Sequence, residues 1–214
     1  SGVATEASRS TTVVVRRKTS LVWNDSGKLS SFITANDPTV VEFAHLALAT
    51  GSGADADIGF PRIFAAARLW DALREYGIRY LADPVASATL AINGDLPVDT
   101  VRLPPSTLLL HSGDCDDSTA LYASLLEASG IPTAIMTSPG HVFCAFDTGA
   151  TEAYRWLLES SGRTVLAFGG ELWIPVETTL LTGGFMEAWT AASGETRRRS
   201  LGRGPCLHEA AGQE

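Results

Sequence analysis

The chain of 214 residues has no long apolar run, little basic charge and few cysteines, and each shortage narrows what it can be. No stretch approaches the roughly 18 consecutive apolar residues that a membrane-spanning helix needs, so no such helix is expected. Lysine and arginine number 16 against 24 acidic residues, a formal net charge of −8, with a pI near 5.0. Neutralising phosphates takes a basic surface, so nucleic acid is not an expected partner. The three cysteines, Cys115, Cys144 and Cys206, are odd in number and widely spaced. That excludes a disulfide framework and a zinc knuckle and leaves at least one free thiol. No internal repeat is visible. The opening "SGVATEASRSTTVVVRR" lacks a signal peptide's succession of basic, apolar and small residues, and the chain is compatible with a piece of a longer polypeptide.

What is present is a globular composition: 45% hydrophobic and 19% charged residues, mean hydropathy +0.11, and length enough for one sizeable core. After ten small and polar residues, "TTVVVRR" reads as a strand and "NDSG" (24–27) as a turn. "ANDPTVVEFAHLALATG" reads as a helix, with Asp37 as N-cap, Pro38 in the first turn, Gly51 at the end and Val41, Ala44 and Leu48 on its apolar side. His45 falls inside that helix, as an ordinary packed or solvated histidine. "PRIFAAARLWDALREYG" is a second helix with Ile63, Ala67, Trp70, Leu73 and Tyr76 along one side. Residues 78–113, rich in Pro, Gly and Asp, have no strong period and read as wrapping loops.

From Asp114 the pattern sharpens. A helix is expected to about Ser129, with Leu121, Leu125 and Ala128 inward and Gly130 just past its end. Strands follow in "TAIMT", "HVFCAFD", "TVLAFG" and "LWIPVE", then a short helix in "EAWTAAS". Beyond Ser193, four arginines face three glutamates in what reads as a solvated tail. Helices first and antiparallel strands after define an α+β class.

The chemistry concentrates in "HSGDCDDSTALYASLLEASG". Cys115 falls at the start of a helix that Asp114 can cap, where unpaired amides and the helix dipole favour an anion and can hold an oxyanion. A lone cysteine in such a place is also what a buried, inert thiol looks like. Asp114, Asp116 and Asp117 put three hard oxygen ligands within four residues, a calcium candidate that lacks the EF-hand's central Gly and distant Glu; otherwise no cofactor is expected.

A nucleophilic cysteine needs a base held by a third polar group. "SPGHVFCAFDTG" starts a strand at His141, with Phe143, Ala145 and Asp147 on its face and Val142, Cys144 and Phe146 on the other, so Cys144 reads as core. Asp147, six residues on, lies roughly 20 Å away along a straight strand, too far to orient the ring. Glu177, ending the "LWIPVETT" strand, comes beside the start of the His141 strand if the two pair antiparallel. Arg102, Tyr122 and Trp173 are further candidates for a cleft wall, each with an ordinary packing explanation.

Together these blocks resemble the transglutaminase-like superfamily of papain-fold cysteine enzymes, and its bacterial cysteine-peptidase branch in particular. "GDCDDSTALYASLLEASGIPT" is similar to the cysteine block, "PGHVFCAFD" to the histidine block and "WIPVETT" to the acidic block, in the order Cys, His, acid with gaps of 26 (141 minus 115) and 36 (177 minus 141). "PPSTLLLHSGDC" and "FITANDPTVVEFA" resemble the segments ahead of them, so the likeness covers roughly residues 32–182. Two positions depart from the pattern: Glu177 stands where most members carry Asp, and Ser106 where a Glu is expected.

The resemblance implies a papain-like core in which N-terminal helices and a catalytic-cysteine helix pack on an antiparallel sheet. Residues 1–31 would be an N-terminal extension or short strand, 32–192 the domain and 193–214 a flexible tail. It implies a Cys115–His141–Glu177 triad acting on amide bonds of a protein or peptide through a thioester. Hydrolysis by a peptidase or amidase is the expected outcome; transfer to an amine, or a non-catalytic or calcium-binding module within a larger protein, are the alternatives. Calcium near this site is attributed to some bacterial relatives. A bacterial periplasmic or cell-envelope setting fits the resemblance.

Overall fold

The computed structural model describes residues 17–22, 26–49, 59–82, 98–138, 140–159, 163–200 and 207–209. It is an α+β fold around a five-stranded antiparallel sheet. Helix α1 covers Pro38–Ala49 and α2 Pro61–Tyr76; α3 covers Pro104–Leu110, α4 Cys115–Ala128, α5 Arg155–Leu158 and α6 Phe185–Ser200. The large sheet takes β5 (Thr133–Ser138), β6 (His141–Thr151), β7 (Leu166–Phe168), β8 (Glu171–Val176) and β9 (Leu207–Glu209) in the order β7-β8-β6-β5-β9. Two short pairs complete it: β1 (Ser20–Val22) antiparallel to β3 (Val98–Thr100), and β2 (Arg79–Tyr80) parallel to β4 (Ser112–Gly113).

Helix α4 is the centre of the molecule and is buried from Asp116 to Leu126, not along a single stripe. It starts because Asp114, in extended conformation, accepts the Asp117 amide at 3.2 Å and supplies the cap that first-turn amides lack. It stops at Gly130, whose φ of +73° suits a residue without Cβ; the Ile131 amide closes back on the Leu126 carbonyl at 3.0 Å. The Glu127 carboxylate accepts from the amide and hydroxyl of Thr133, tying the helix end to β5.

Strand alternation sets the faces of β6. Cys144 and Phe146 join Ile174, Val176, Leu121, Leu125 and Trp70 in the main core. Phe143 and Ala145 face the other way, with Met136, Trp173 and Ala192 of α6. A smaller cluster of Leu21, Leu29, Phe32, Val101, Ala120, Ile135 and Val142 fills the end of the molecule where α4 begins.

Several sequence expectations change. "TTVVVRR" lies mostly outside the described residues, and the first strand is Ser20–Val22, paired to β3. Leu21 and Leu29 are core, so the boundary at residue 31 cuts through the folded body. "PPSTLLL" is a helix rather than a loop. On α1 Ala44 is buried and Leu48 packs partly buried against the core, as expected, but Val40 rather than Val41 is the buried residue of the first turn. The boundary at 192/193 falls inside α6, where Ser193 and Thr196 are buried, and β9 adds an edge strand to β5. Gly51 and Cys206 lie outside the described residues. No helix among those described is long and apolar enough to cross a membrane.

Candidate active site

The structure brings Cys115, His141 and Glu177 together. Cys115 is the first residue of α4, His141 the first of β6, and Glu177 follows the last residue of β8. Strands β6 and β8 run antiparallel in the register Cys144↔Val176 and Ala145↔Pro175, so Glu177 arrives beside the strand that His141 opens. Its Oε2 meets His141 Nε2 at 2.8 Å. Its Oε1 accepts from the Thr179 amide at 3.1 Å and the Thr179 hydroxyl at 2.6 Å, which caps the 3-10 turn Thr178–Leu180. Both carboxylate oxygens are thereby held, and the long glutamate arm is fixed in one pose.

With Nε2 occupied, Nδ1 is the ring nitrogen left for the Cys115 thiol. The neighbouring Cys115 thiol is the largest influence on the ring, followed by the hydrogen bond with Glu177; against the cost of burial they raise the His141 pKa to about 10. Glu177 is pushed up by burial, but the hydrogen bonds from His141 and Thr179 outweigh this and hold it below the usual carboxylate range. The thiol itself is half-buried.

The start of α4 faces the same spot. The Asp117 amide is taken by Asp114 Oδ1 and Asp116 Oδ1, and the Ser118 amide by the Asp114 carbonyl. The amides of Cys115 and Asp116 come earlier in that turn, where helix geometry offers no intrahelical acceptor. They are the donors available to an anion formed at Cys115. Gly113 makes the approach possible: a Cβ there would stand 2.6 Å from Asp117 Cβ and 3.1 Å from Thr107 Cγ2.

The three aspartates have distinct environments. Asp117 Oδ2 pairs with the Arg102 guanidinium at 2.9 Å and its Oδ1 accepts the Arg102 amide at 2.6 Å; burial still lifts its pKa to about 6, against the lowering effect of Arg102. Asp116 is driven to about 11 by burial, by its hydrogen bond to Asp114 and by the neighbouring carboxylates, so it is a neutral acid near pH 7. One oxygen from each of Asp114, Asp116 and Asp117 lies within 4.8 Å of the others. These are the residues that could surround a hard cation, which would have to displace the Asp116 proton and compete with Arg102 for Asp117.

Other sequence candidates fall elsewhere. Asp147 pairs with Arg62 and accepts the Gly149 amide, away from His141. Tyr122 is fully buried, its hydroxyl donating to the Ala66 carbonyl. Trp173 is core, with its indole on the Phe168 carbonyl. Cys144 is fully buried, which pushes its thiol up. His45 and Ser106 are exposed.

Two site features carry no clear sequence signal. Tyr80 pairs with Gly113 in the short parallel ladder, which sets it beside Asp114 and Cys115. Its phenol is pushed up by burial and then by Cys115, Asp114 and Glu177, though the residue is 43% exposed. Thr119, one turn along α4 from Cys115, lies 2.8 Å from the Thr178 hydroxyl and 3.5 Å from the Val142 carbonyl.

Comparisons with known proteins add no identity: no family model matches the chain, and no match is found among curated proteins or solved structures.

Proposed function

We propose that this protein is a cysteine-dependent acyl-transfer enzyme acting on amide bonds, a peptidase or amidase with a transglutaminase-like, papain-type core. The observation that carries this reading is one imidazole held between a carboxylate and a thiol: His141 Nε2 on Glu177 at 2.8 Å, with Cys115 the strongest influence on the ring. A buried inert cysteine has no need of such a partner, and a histidine raised to about 10 is suited to carry a proton beside a thiolate.

The chemistry follows from the atoms. The Cys115 thiolate attacks the carbonyl carbon, forming the C–S bond, while the carbonyl electron pair becomes an oxyanion held by the amides of Cys115 and Asp116. Collapse expels the amine, which takes the His141 Nδ1 proton, and a thioester remains. Neutral His141 then takes a proton from water, the hydroxide attacks the thioester, and release of the acid regenerates the thiolate–imidazolium pair. Glu177 accepts a hydrogen bond from Nε2–H throughout, fixing the ring's tautomer and stabilising its cationic form. The proposed acceptor is water, and the proposed substrate a protein or peptide.

The test is alkylation of Cys115 by iodoacetamide from pH 5 to 10, followed by mass spectrometry at that residue. The expected result is a rate at pH 6 well above that of N-acetylcysteine, lost in His141→Ala. A Cys115 that reacts like the small thiol, and no slower in His141→Ala, overturns the proposal. Incubating casein with the protein, with and without a primary amine, then separates new termini from new cross-links.

A further inference from the structure

The short parallel ladder before the thiol leaves one backbone edge open. The Arg79 amide donates to the His111 carbonyl at 3.0 Å and the Leu81 amide to the Gly113 carbonyl at 2.8 Å. Along an extended strand, successive residues turn their amides to opposite edges. The amide and carbonyl of Tyr80, between those two residues, therefore point away from β4. Among the described residues neither group meets a hydrogen-bond partner, and β2 has β4 as its one neighbour. Arg79, Tyr80, Leu81 and Ala82 are all exposed. An edge that offers an N–H and a C=O side by side is a template for another extended chain.

The edge belongs to the neighbourhood of the candidate active site. Strand β4 leads through Asp114 directly into Cys115, so Tyr80, in register with Gly113, sits two residues short of the thiol. Strand β2 also touches the 3-10 turn Thr178–Leu180 that follows Glu177. The Tyr80 phenol is close enough to feel the charges of Cys115, Asp114 and Glu177, which add to burial in pushing it up. The ladder is tied down from behind. His111, with a φ of +52°, brings its Nδ1 to the Tyr76 carbonyl at 2.9 Å and stacks on the Tyr76 ring at 4.4 Å. That contact joins the start of β4 to the end of α2, from which β2 emerges.

We infer that β2 is the docking strand for substrate: an extended peptide adds to the Tyr80 edge, its carbonyl accepting from the Tyr80 amide and its own amide donating to the Tyr80 carbonyl. The inference rests on the acyl-transfer reading for the reaction at Cys115 and narrows its substrate to an extended segment of a protein or peptide. A small isolated amide has no second backbone group to place on this edge. The docked residue needs its own N–H, so proline is excluded there. A helical segment, whose amides are already paired, has to unwind before it docks. Main-chain bonds of this kind hold the peptide whatever its side chain at that residue, and selectivity falls to the positions on either side.

The experiment compares two alkylating agents at Cys115, iodoacetamide and acetyl-Ala-Ala-Ala-Ala-chloromethyl ketone. It is run at pH 9, where an unactivated thiol is also largely ionised. Mass spectrometry reads the rate at Cys115, and each peptide rate is divided by the iodoacetamide rate of the same protein. Further peptides carry a single N-methyl group, on each alanine in turn. The expected result is that methylation at one position lowers the ratio about tenfold. Tyr80→Pro, which removes the open N–H and none of the ladder bonds, lowers the parent peptide's ratio by a similar factor. Tyr80→Ala, which keeps the backbone and loses the ring, retains the dependence on methylation. Methylated peptides that all react like the parent overturn the docking strand, as does a Tyr80→Pro ratio equal to that of the unaltered protein. A loss in Tyr80→Ala as large as in Tyr80→Pro overturns it too, by assigning the effect to the ring. The methyl scan needs no variant and stands even if Tyr80→Pro unfolds. Failure of the acyl-transfer reading shows separately, as an iodoacetamide rate at pH 6 equal to that of N-acetylcysteine.

Discussion

Thr119 Oγ1 and Thr178 Oγ1 lie 2.8 Å apart with both residues fully buried, and Thr119 also reaches the Val142 carbonyl at 3.5 Å. Thr119 is one helical turn from Cys115, Val142 follows His141, and Thr178 follows Glu177. One hydroxyl therefore joins the three segments that present the candidate triad. Such coupling matters because catalytic groups must be held within about 0.5 Å of their working geometry. Thr119→Val keeps the shape and removes the hydroxyl, leaving Thr178 without its partner in a dry site. We expect a loss of about 1–3 kcal/mol in urea denaturation and a slower Cys115 alkylation at pH 6, with Thr119→Ser recovering both. Faster unfolding with unchanged alkylation would reduce Thr119 to a packing residue.

The His141–Glu177 pair makes a pH signature. His141 is raised from its ordinary value of 6.5 to about 10, so its contribution to stability is complete below pH 6.5 and disappears as pH rises through 10. Glu177 is lowered from 4.5, so its contribution is present above pH 4.5 and is lost as pH falls through its folded value. The pair stabilises most fully between about pH 4.5 and 6.5. Glu177→Gln removes the carboxylate whose hydrogen bond and charge help to raise His141 and should move its titration to lower pH. ¹⁵N NMR of the histidine ring measures this directly; a His141 that titrates near 6.5 in the unaltered protein would contradict the pairing.

Much of the site was legible because its chemistry is local. Asp114 followed by an apolar run marks a capped helix, and the alternation in "HVFCAFD" and "LWIPVE" sorts Cys144 to the core and His141 and Glu177 to a shared face. Their order then leads to the pairing seen at 2.8 Å. Gly113 was visible as part of a motif, but its reason is tertiary: the space beside it is filled by Asp117 and Thr107.

What escaped depends on distant contacts. Tyr80 reaches the site through a two-residue parallel pairing with Ser112–Gly113, too short for any periodicity to announce. Helix α3 was hidden because Leu109 and Leu110 are 77% and 56% exposed, which spoils the amphipathic pattern by which helices are recognised. Helix α6 runs on into an arginine-rich stretch that reads as solvated, although Ala192, Ser193 and Thr196 are buried beneath it.

Asp116 supplies the last prediction, and its sign is opposite to that of Glu177. Its carboxyl is raised from 3.8 to about 11, first by burial and then by Asp114, so it stays neutral in the folded chain and ionises on unfolding. Stability on its account declines as pH rises above about 4 and continues to decline towards 11. Asn at this position keeps an oxygen for the Asp117 amide, now at 2.8 Å, and offers an N–H to Asp114 in place of the acid proton. Asp116→Asn should therefore raise Tm at pH 8 by roughly 2–4 °C for each kcal/mol of penalty removed, with little change at pH 4. Calcium distinguishes a second use of the same carboxylates. If they take the ion, millimolar calcium raises the Tm of the unaltered protein at pH 8, through displacement of the Asp116 proton, and does so less in Asp116→Asn. A Tm indifferent to calcium in both proteins leaves the cluster as the helix start that Asp114 and Arg102 already make of it.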